Sequence, residues 1–333
     1  MRRVCVVIAA LACTQAMATP LFDDNSVIEV TLTGPFGTLF ADTESRDELP
    51  FTLSAAGIDH RIEVRLRGRS RLRVCDFPPL RLDFRAKHTG GTVFQGQDKL
   101  KLVTHCRNYD RGEQDILEEF AAYRIFNLLT DNSYRVRLLR FRYEDSDGTL
   151  SDRASPRYGF LIESGEDLAD RLGGMRVDLP GVPSQRYDHE QAALVFVFEY
   201  LIGNTDWGFV KAPYDAGCCH NGDLIDVDDS VYFIPYDFDL AGLVNADYAY
   251  PDPLLKIKRV TQRLYRGVCE ENDRLSQALQ MITNREAGIL QVLQEIPGLT
   301  QDSIETGTKF LAAFFQKAAA EEKLLRSFEK RCI

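Results

Sequence analysis

The sequence predicts an α+β protein of two lobes, a β-rich first part holding one helix and a mainly helical second part. Three observations predict it. Short segments of alternating apolar and polar residues dominate the first part of the chain. One long amphipathic stretch, 113–130, interrupts them, and from residue 167 onward apolar residues recur mainly at helical spacing. The chain has 333 residues, 44% hydrophobic and 27% charged, enough to bury a large core.

Residues 1–18 read as a signal peptide. Arg2 and Arg3 precede an apolar run, 4–12, and Ala16-Met17-Ala18 is a small-x-small cleavage site. That run is shorter than the roughly 20 residues a spanning helix needs, so the expectation is an exported protein, periplasmic or secreted, with no membrane span. Removing the leader leaves six cysteines, Cys75, Cys106, Cys218, Cys219, Cys269 and Cys332. In an oxidising compartment an even number reads as disulfides. Cys75 is expected to pair with Cys106, since both lie beside strands of the first lobe, and the other four to pair among themselves. Zinc is disfavoured, because the adjacent cysteines Cys218 and Cys219 cannot easily fill two tetrahedral positions. The formal net charge of −10 argues against nucleic acid and anionic membrane as partners.

Taken in order, strands are expected over 27–32, 61–67, 80–84 and 100–103, separated by Gly and Pro turns. The helix 113–130 places Leu117, Phe120, Ala121, Ile125 and Leu128 on one side. Strands resume over 134–143 and 158–163, flanking a polar stretch with an Asp147-Gly148 turn. These elements define a β-rich lobe, 19–165. In the helical lobe, 166–333, helices are expected over 188–202, 254–264, 271–282, 285–295 and 301–331, with one strand over 231–235.

Two acidic loops carry the candidate chemistry. Asp206 stands in the polar turn after helix 188–202, and Asp237 and Asp239 follow strand 231–235. Carboxylates at the ends of buried elements can converge, and hard oxygen ligands of this kind suit Mg²⁺ shared with substrate phosphates. In that scheme Asp206 deprotonates an attacking hydroxyl while Asp237 and Asp239 hold the metal. The plain alternative is that each is a cap or turn former.

The run Arg65-Leu66-Arg67-Gly68-Arg69-Ser70, with Leu80-Arg81-Leu82-Asp83-Phe84, Phe94-Gln95-Gly96 and Leu100-Lys101-Leu102, resembles the first half of CotH-like proteins, the spore-coat protein H family of atypical secreted kinases. Ile202-Gly203-Asn204-Thr205-Asp206-Trp207 resembles that family's catalytic loop, and Phe233 through Gly242 its metal-binding segment. The resemblance covers roughly 60–245. It implies an atypical protein-kinase-like fold and transfer of the ATP γ-phosphate, with Mg²⁺, to a protein substrate in the envelope or extracellular space. It gives Asp206 the role of base and Asp237 that of metal ligand, with Asp239 beside it. Lys101, fixed by Glu118 or Glu119 on the following helix, is the candidate nucleotide lysine, and Arg67, Arg69 and Arg81 are further candidate phosphate contacts. The family's asparagine about five positions after the base is missing, which leaves Asn204 or Asn221 as substitutes. The alternative reading is a catalytically inactive binding module that keeps the fold. No G-x-S-x-G elbow or H-E-x-x-H spacing occurs, which disfavours a serine hydrolase or zincin.

Overall fold

The structure, a computed structural model, describes residues 20–183, 185–209 and 218–333. The leader read over 1–18 lies outside the described residues.

The first part of the chain comprises β1 (Ile28–Gly34), α1 (Phe36–Ala41), β2 (Leu49–Ala55), β3 (Ile58–Leu66), α2 (Arg71–Val74), β4 (Leu80–Asp83), β5 (Lys99–Val103), α3 (Asp110–Leu129), β6 (Val136–Asp145) and β7 (Arg157–Ile162). Its strands pair in the order β1-β2-β3-β4-β5-β7-β6. Every pair is antiparallel except the last, where β6 returns beside β1 in parallel, Ile28 against Leu139 and Leu32 against Tyr143. The sheet therefore closes into a seven-stranded barrel.

This closure overturns the expected two-lobed kinase-like fold. A closed barrel that carries α1 and α2 as well as α3 is not a β-rich lobe with a single helix; the class is mixed α+β. Both departures have a physical reason. The β1–β6 seam joins segments far apart in the chain, which no local pattern encodes, and α1 and α2, six and four residues long, are too short to show helical periodicity.

The rest of the chain comprises α4 (Gly165–Leu172), β8 (Met175–Val177), α5 (His189–Ile202), β9 (Gly222–Val227), β10 (Ser230–Pro235), α6 (Leu275–Thr283), α7 (Glu286–Glu295), α8 (Gln301–Ala318) and α9 (Glu321–Glu329). The strands form a three-stranded sheet, β10-β9-β8, where the sequence pattern predicts one strand. The helix expected over 254–264 is absent: beyond a 3₁₀ turn at Pro253–Leu255 that segment is irregular. The long helix expected over 301–331 is two, α8 and α9, separated at Ala319 and Ala320.

Two cores lie on the two sides of β6 and β7. Leu139, Phe141 and Leu161 point into the barrel with Leu32, Leu53 and Leu80, while Leu138, Phe160 and Ile162 point outward onto α3 and the helices beyond. Helix α3 is consequently the wedge between barrel and helical part: Phe120 and Tyr123 meet Phe160 on the barrel wall, and Phe126 meets Phe198 of α5. Among the described residues no helix is long and apolar enough to cross a membrane.

Three disulfides are formed, Cys75–Cys106, Cys218–Cys219 and Cys269–Cys332. The first ties the end of α2 to the chain leaving β5, where the Phe77 N–H donates to the Cys106 carbonyl and the Thr104 hydroxyl to the Phe77 carbonyl. It closes a separation of 31 residues. Replacing both cysteines with serine is expected to cost about 4 kcal/mol by the chain-entropy account of cross-links. Urea unfolding of the C75S/C106S variant against the oxidised parent measures this; equal midpoints would refute it.

Candidate functional site

The site begins where β3 leaves the barrel. Leu66 is buried, Arg67 donates its backbone N–H to the Pro79 carbonyl, and the chain reverses at Gly68, whose φ of +87° is a conformation glycine tolerates best. The reversal delivers α2 to the junction of barrel and helices, with Arg71 as its first residue. Arg71 is 5% exposed. Its guanidinium donates to both oxygens of Glu119 at 3.3 Å, its Nε lies 2.9 Å from Asp239 Oδ2, and Nη2 contacts Asp237 Oδ1. One cation thus holds carboxylates from two separate parts of the chain, α3 and the segment after β10.

That segment is set by β10 and by α3. Asp237 adopts φ +66°, its N–H donates to the Tyr123 hydroxyl at 2.9 Å, and Phe238 is buried between Tyr123 and Phe198. With Phe238 anchored in the core, Asp237 and Asp239 turn together toward Arg71. Burial raises the Asp237 carboxyl, but Arg71, Arg67 and Lys101 outweigh it and hold the group below the ordinary range. Asp239 goes the other way. Burial lifts it to about 6 against the pull of Arg71, with Asp237 and Asp206 adding repulsion.

Asp206 reaches the same region from α5. The helix ends at Gly203, with φ +69°, and the Asp206 N–H donates to Asn204 Oδ1 at 2.9 Å. The Gly242 and Leu243 N–H groups donate to the Gly203 and Ile202 carbonyls, binding this turn to the chain after Asp239. His220 Nε2 lies 2.9 Å from Asp206 Oδ1, and Asn221 Nδ2 donates to Oδ2 at 2.9 Å and to the Asp206 carbonyl at 2.6 Å. The carboxylate is fixed at both oxygens. The hydrogen bond to Asp206 raises the His220 imidazole above its ordinary value despite burial, so the charged form is favoured beside the carboxylate. Asp206 lies within electrostatic reach of Asp239, and His220 of both Asp206 and Asp237.

Beside this cluster is a cavity of about 540 Å³ between β3, β4, β5 and the start of α4. Its walls carry Arg65, Arg67, Arg81, Lys99, Lys101 and Arg176 against Asp98, Glu166, Asp167 and Asp223. Asp223 is already taken by Arg176 at 2.7 Å and by the Tyr134 hydroxyl. Lys101, Arg67 and Arg81 are the members without an ion-pair partner among the described residues. The Lys101 ammonium lies 4.6 Å from the Tyr236 ring centre and 5.8 Å from that of Tyr134. Burial and the neighbouring Arg67 lower its ammonium below the usual lysine value. A cation in that state gains from an anion that replaces lost water.

The structure brings Asp206, Asp237, Asp239, Lys101 and Arg67 to one region, with Arg81 on the cavity wall. It does not bring the others. Glu118 turns away to Arg111, at 2.9 and 3.2 Å, and its neighbour Glu119 faces the site, because adjacent helix positions point about 100° apart. Arg69 is exposed on the turn and does not line the cavity. The metal role expected for Asp237 and Asp239 finds no support in the geometry: both carboxylates are taken by Arg71, and among the described residues no group of three or more His, Cys, Asp or Glu side chains is placed to hold a metal ion. Two contributors go unassigned in the sequence reading, Arg71 as the hub and His220, while Asn221, read as a substitute for the family's asparagine, is found fixing Asp206. For Arg71 the available signal is its place in Arg67-Gly68-Arg69-Ser70-Arg71. His220 directly follows the cysteine pair and carries no signal of its own. No protein-family model matches the chain, and no curated protein matches it.

Beneath the Asp206 turn, Glu199 is 1% exposed, and burial lifts its carboxyl to about 8 against a pull from the Asn204 side chain. A group whose folded value is raised stabilises fully below its unfolded value, near 4.5, and loses that contribution as pH rises through 8. Relative to the parent, Glu199→Gln is therefore expected to gain about 4 kcal/mol between pH 5 and pH 9, at about 1.4 kcal/mol per pH unit up to the folded value. Urea titrations of both proteins at the two pH values test it, and a stability difference independent of pH would contradict it.

Proposed function

We propose that this protein is an ATP-dependent phosphotransferase that acts outside the cytoplasm on a protein hydroxyl. One observation carries the reading: Arg67 and Lys101 line the basic cavity and are also among the cations that hold Asp237 ionised. A polyanion in the cavity therefore has cations leading from its wall to the aspartate cluster. The disulfides fit an oxidising compartment.

In the proposed step, Lys101, Arg67 and Arg81 answer the charge of the triphosphate, and Asp206 accepts the proton of the acceptor hydroxyl. The hydroxyl oxygen forms a bond to the γ-phosphorus as the bond to the β-γ bridging oxygen breaks, leaving ADP and a phosphorylated protein. His220 and Asn221 keep the Asp206 carboxylate in one orientation, which is where positioning contributes to rate. Mg²⁺ is the companion the resemblance implies for the nucleotide, but Arg71 already bridges the two aspartates that would hold it. That same grip favours a second reading, a binding module that retains the anion cavity without transfer.

Phosphate transfer from γ-labelled ATP to envelope proteins separates the two. Asp206→Asn is expected to lower transfer at least about a hundredfold, the usual contribution of a general base, with ATP affinity little changed. Lys101→Ala is expected to weaken ATP binding about tenfold, read by calorimetry. Equal transfer by the parent and the Asp206→Asn variant would end the catalytic reading.

A further inference from the structure

We infer that Arg71 stands where a divalent cation would sit between Asp237 and Asp239, and that this protein binds its polyphosphate ligand as the free anion and not as the magnesium complex. The ligand half of this inference rests on the anion reading of the cavity above; the Arg71 half does not. Arg71 reaches Asp239 at 2.9 Å through Nε, Asp237 through Nη2 and Glu119 at 3.3 Å through both terminal nitrogens, while its side chain is 6% exposed. A guanidinium has five donors and no acceptor, and a metal bridging the two aspartates through Asp237 Oδ1 and Asp239 Oδ2 would have to displace it. Magnesium needs near-octahedral oxygen ligands at about 2.0–2.1 Å and keeps several waters. A metal with that shell could sit at those two oxygens only where the guanidinium now lies. Expelling it would leave a buried cation facing Glu119 alone and remove the contact that joins α2 to the segment after β10. The cavity points the same way. Of its six basic side chains Arg65, Lys99 and Arg176 already have ion-pair partners, while Arg67, Arg81 and Lys101 have none among the described residues, so a ligand keeping its full negative charge suits the wall better than one carrying a metal.

Two measurements on the full mature chain test the two halves separately. Mn²⁺, followed by electron paramagnetic resonance without phosphate, should not be taken up by the parent protein. It should bind one ion per chain in Arg71→Met and be lost again in Arg71→Met with Asp237→Asn. Uptake by the parent that Asp239→Asn abolishes would overturn the inference, and this arm stands even where Arg71→Met does not fold. A folded Arg71→Met protein that takes up no Mn²⁺ would also overturn it. Calorimetry with inorganic tripolyphosphate should give affinity in EDTA at least about tenfold tighter than in excess Mg²⁺, because the metal withdraws the free anion. Tighter binding with Mg²⁺ would overturn the ligand half while sparing the phosphotransferase reading. No binding in either condition would remove that reading and the ligand half together, leaving the Mn²⁺ result to decide the role of Arg71.

Discussion

The buried guanidinium of Arg71 is the contact on which the arrangement depends. It comes from a four-residue helix held by a cross-link, and it grips a carboxylate of α3 and two from the chain leaving β10. Buried ion pairs seldom add net stability over well-packed apolar groups, because desolvation offsets attraction. Their effect is to specify geometry. Remove the cation and three carboxylates face one another at low dielectric; remove one carboxylate and the others still hold the cation. The asymmetry makes Arg71 the position where barrel, α3 and the aspartate segment are brought into a single register.

Around that hub the charge is segregated. The chain as a whole is acidic, with a formal net charge of −10, yet the cavity beside the aspartate cluster carries more arginine and lysine than aspartate and glutamate. A local basic hollow in an acidic surface favours a small, highly charged anion over an extended polyanion such as nucleic acid, which would meet repulsion beyond the hollow. Lys101 illustrates the local economy: its neighbours are aromatic rings and other cations, so it enters the folded state without an ionic partner of its own. The carboxylates on the other side are tuned apart by the same means, Asp237 held ionised and Asp239 moved toward neutrality.

How much of this is legible in the sequence depends on how local the cause is. Helices α3 and α5 carry long apolar repeats, and the Asp-Phe-Asp after β10 is an alternation in which a buried Phe238 forces its neighbours to the other side. These are visible in one dimension. Strand β2 is not: Phe51, Leu53 and Ala55 alternate correctly, but Pro50 precedes them and the run is short. Barrel closure depends on Ile28 finding Leu139, which only tertiary packing decides. Glu118 and Glu119 are equally buried on a helix covered on nearly all sides, so periodicity cannot say which one faces Arg71. The break between α8 and α9 occurs in an alanine-rich stretch with neither Gly nor Pro to mark it.

The parallel seam between β1 and β6 has a consequence for recognition. A closed wall offers no row of free backbone groups, so an incoming extended peptide cannot lengthen the barrel by pairing with it. The small sheet β10-β9-β8 is different, since β8 pairs on one side with β9 and ends at Val177 close to Arg176 on the cavity wall. An extended peptide that pairs through its main chain would therefore have to approach from the helical side, at β8, and not at the barrel.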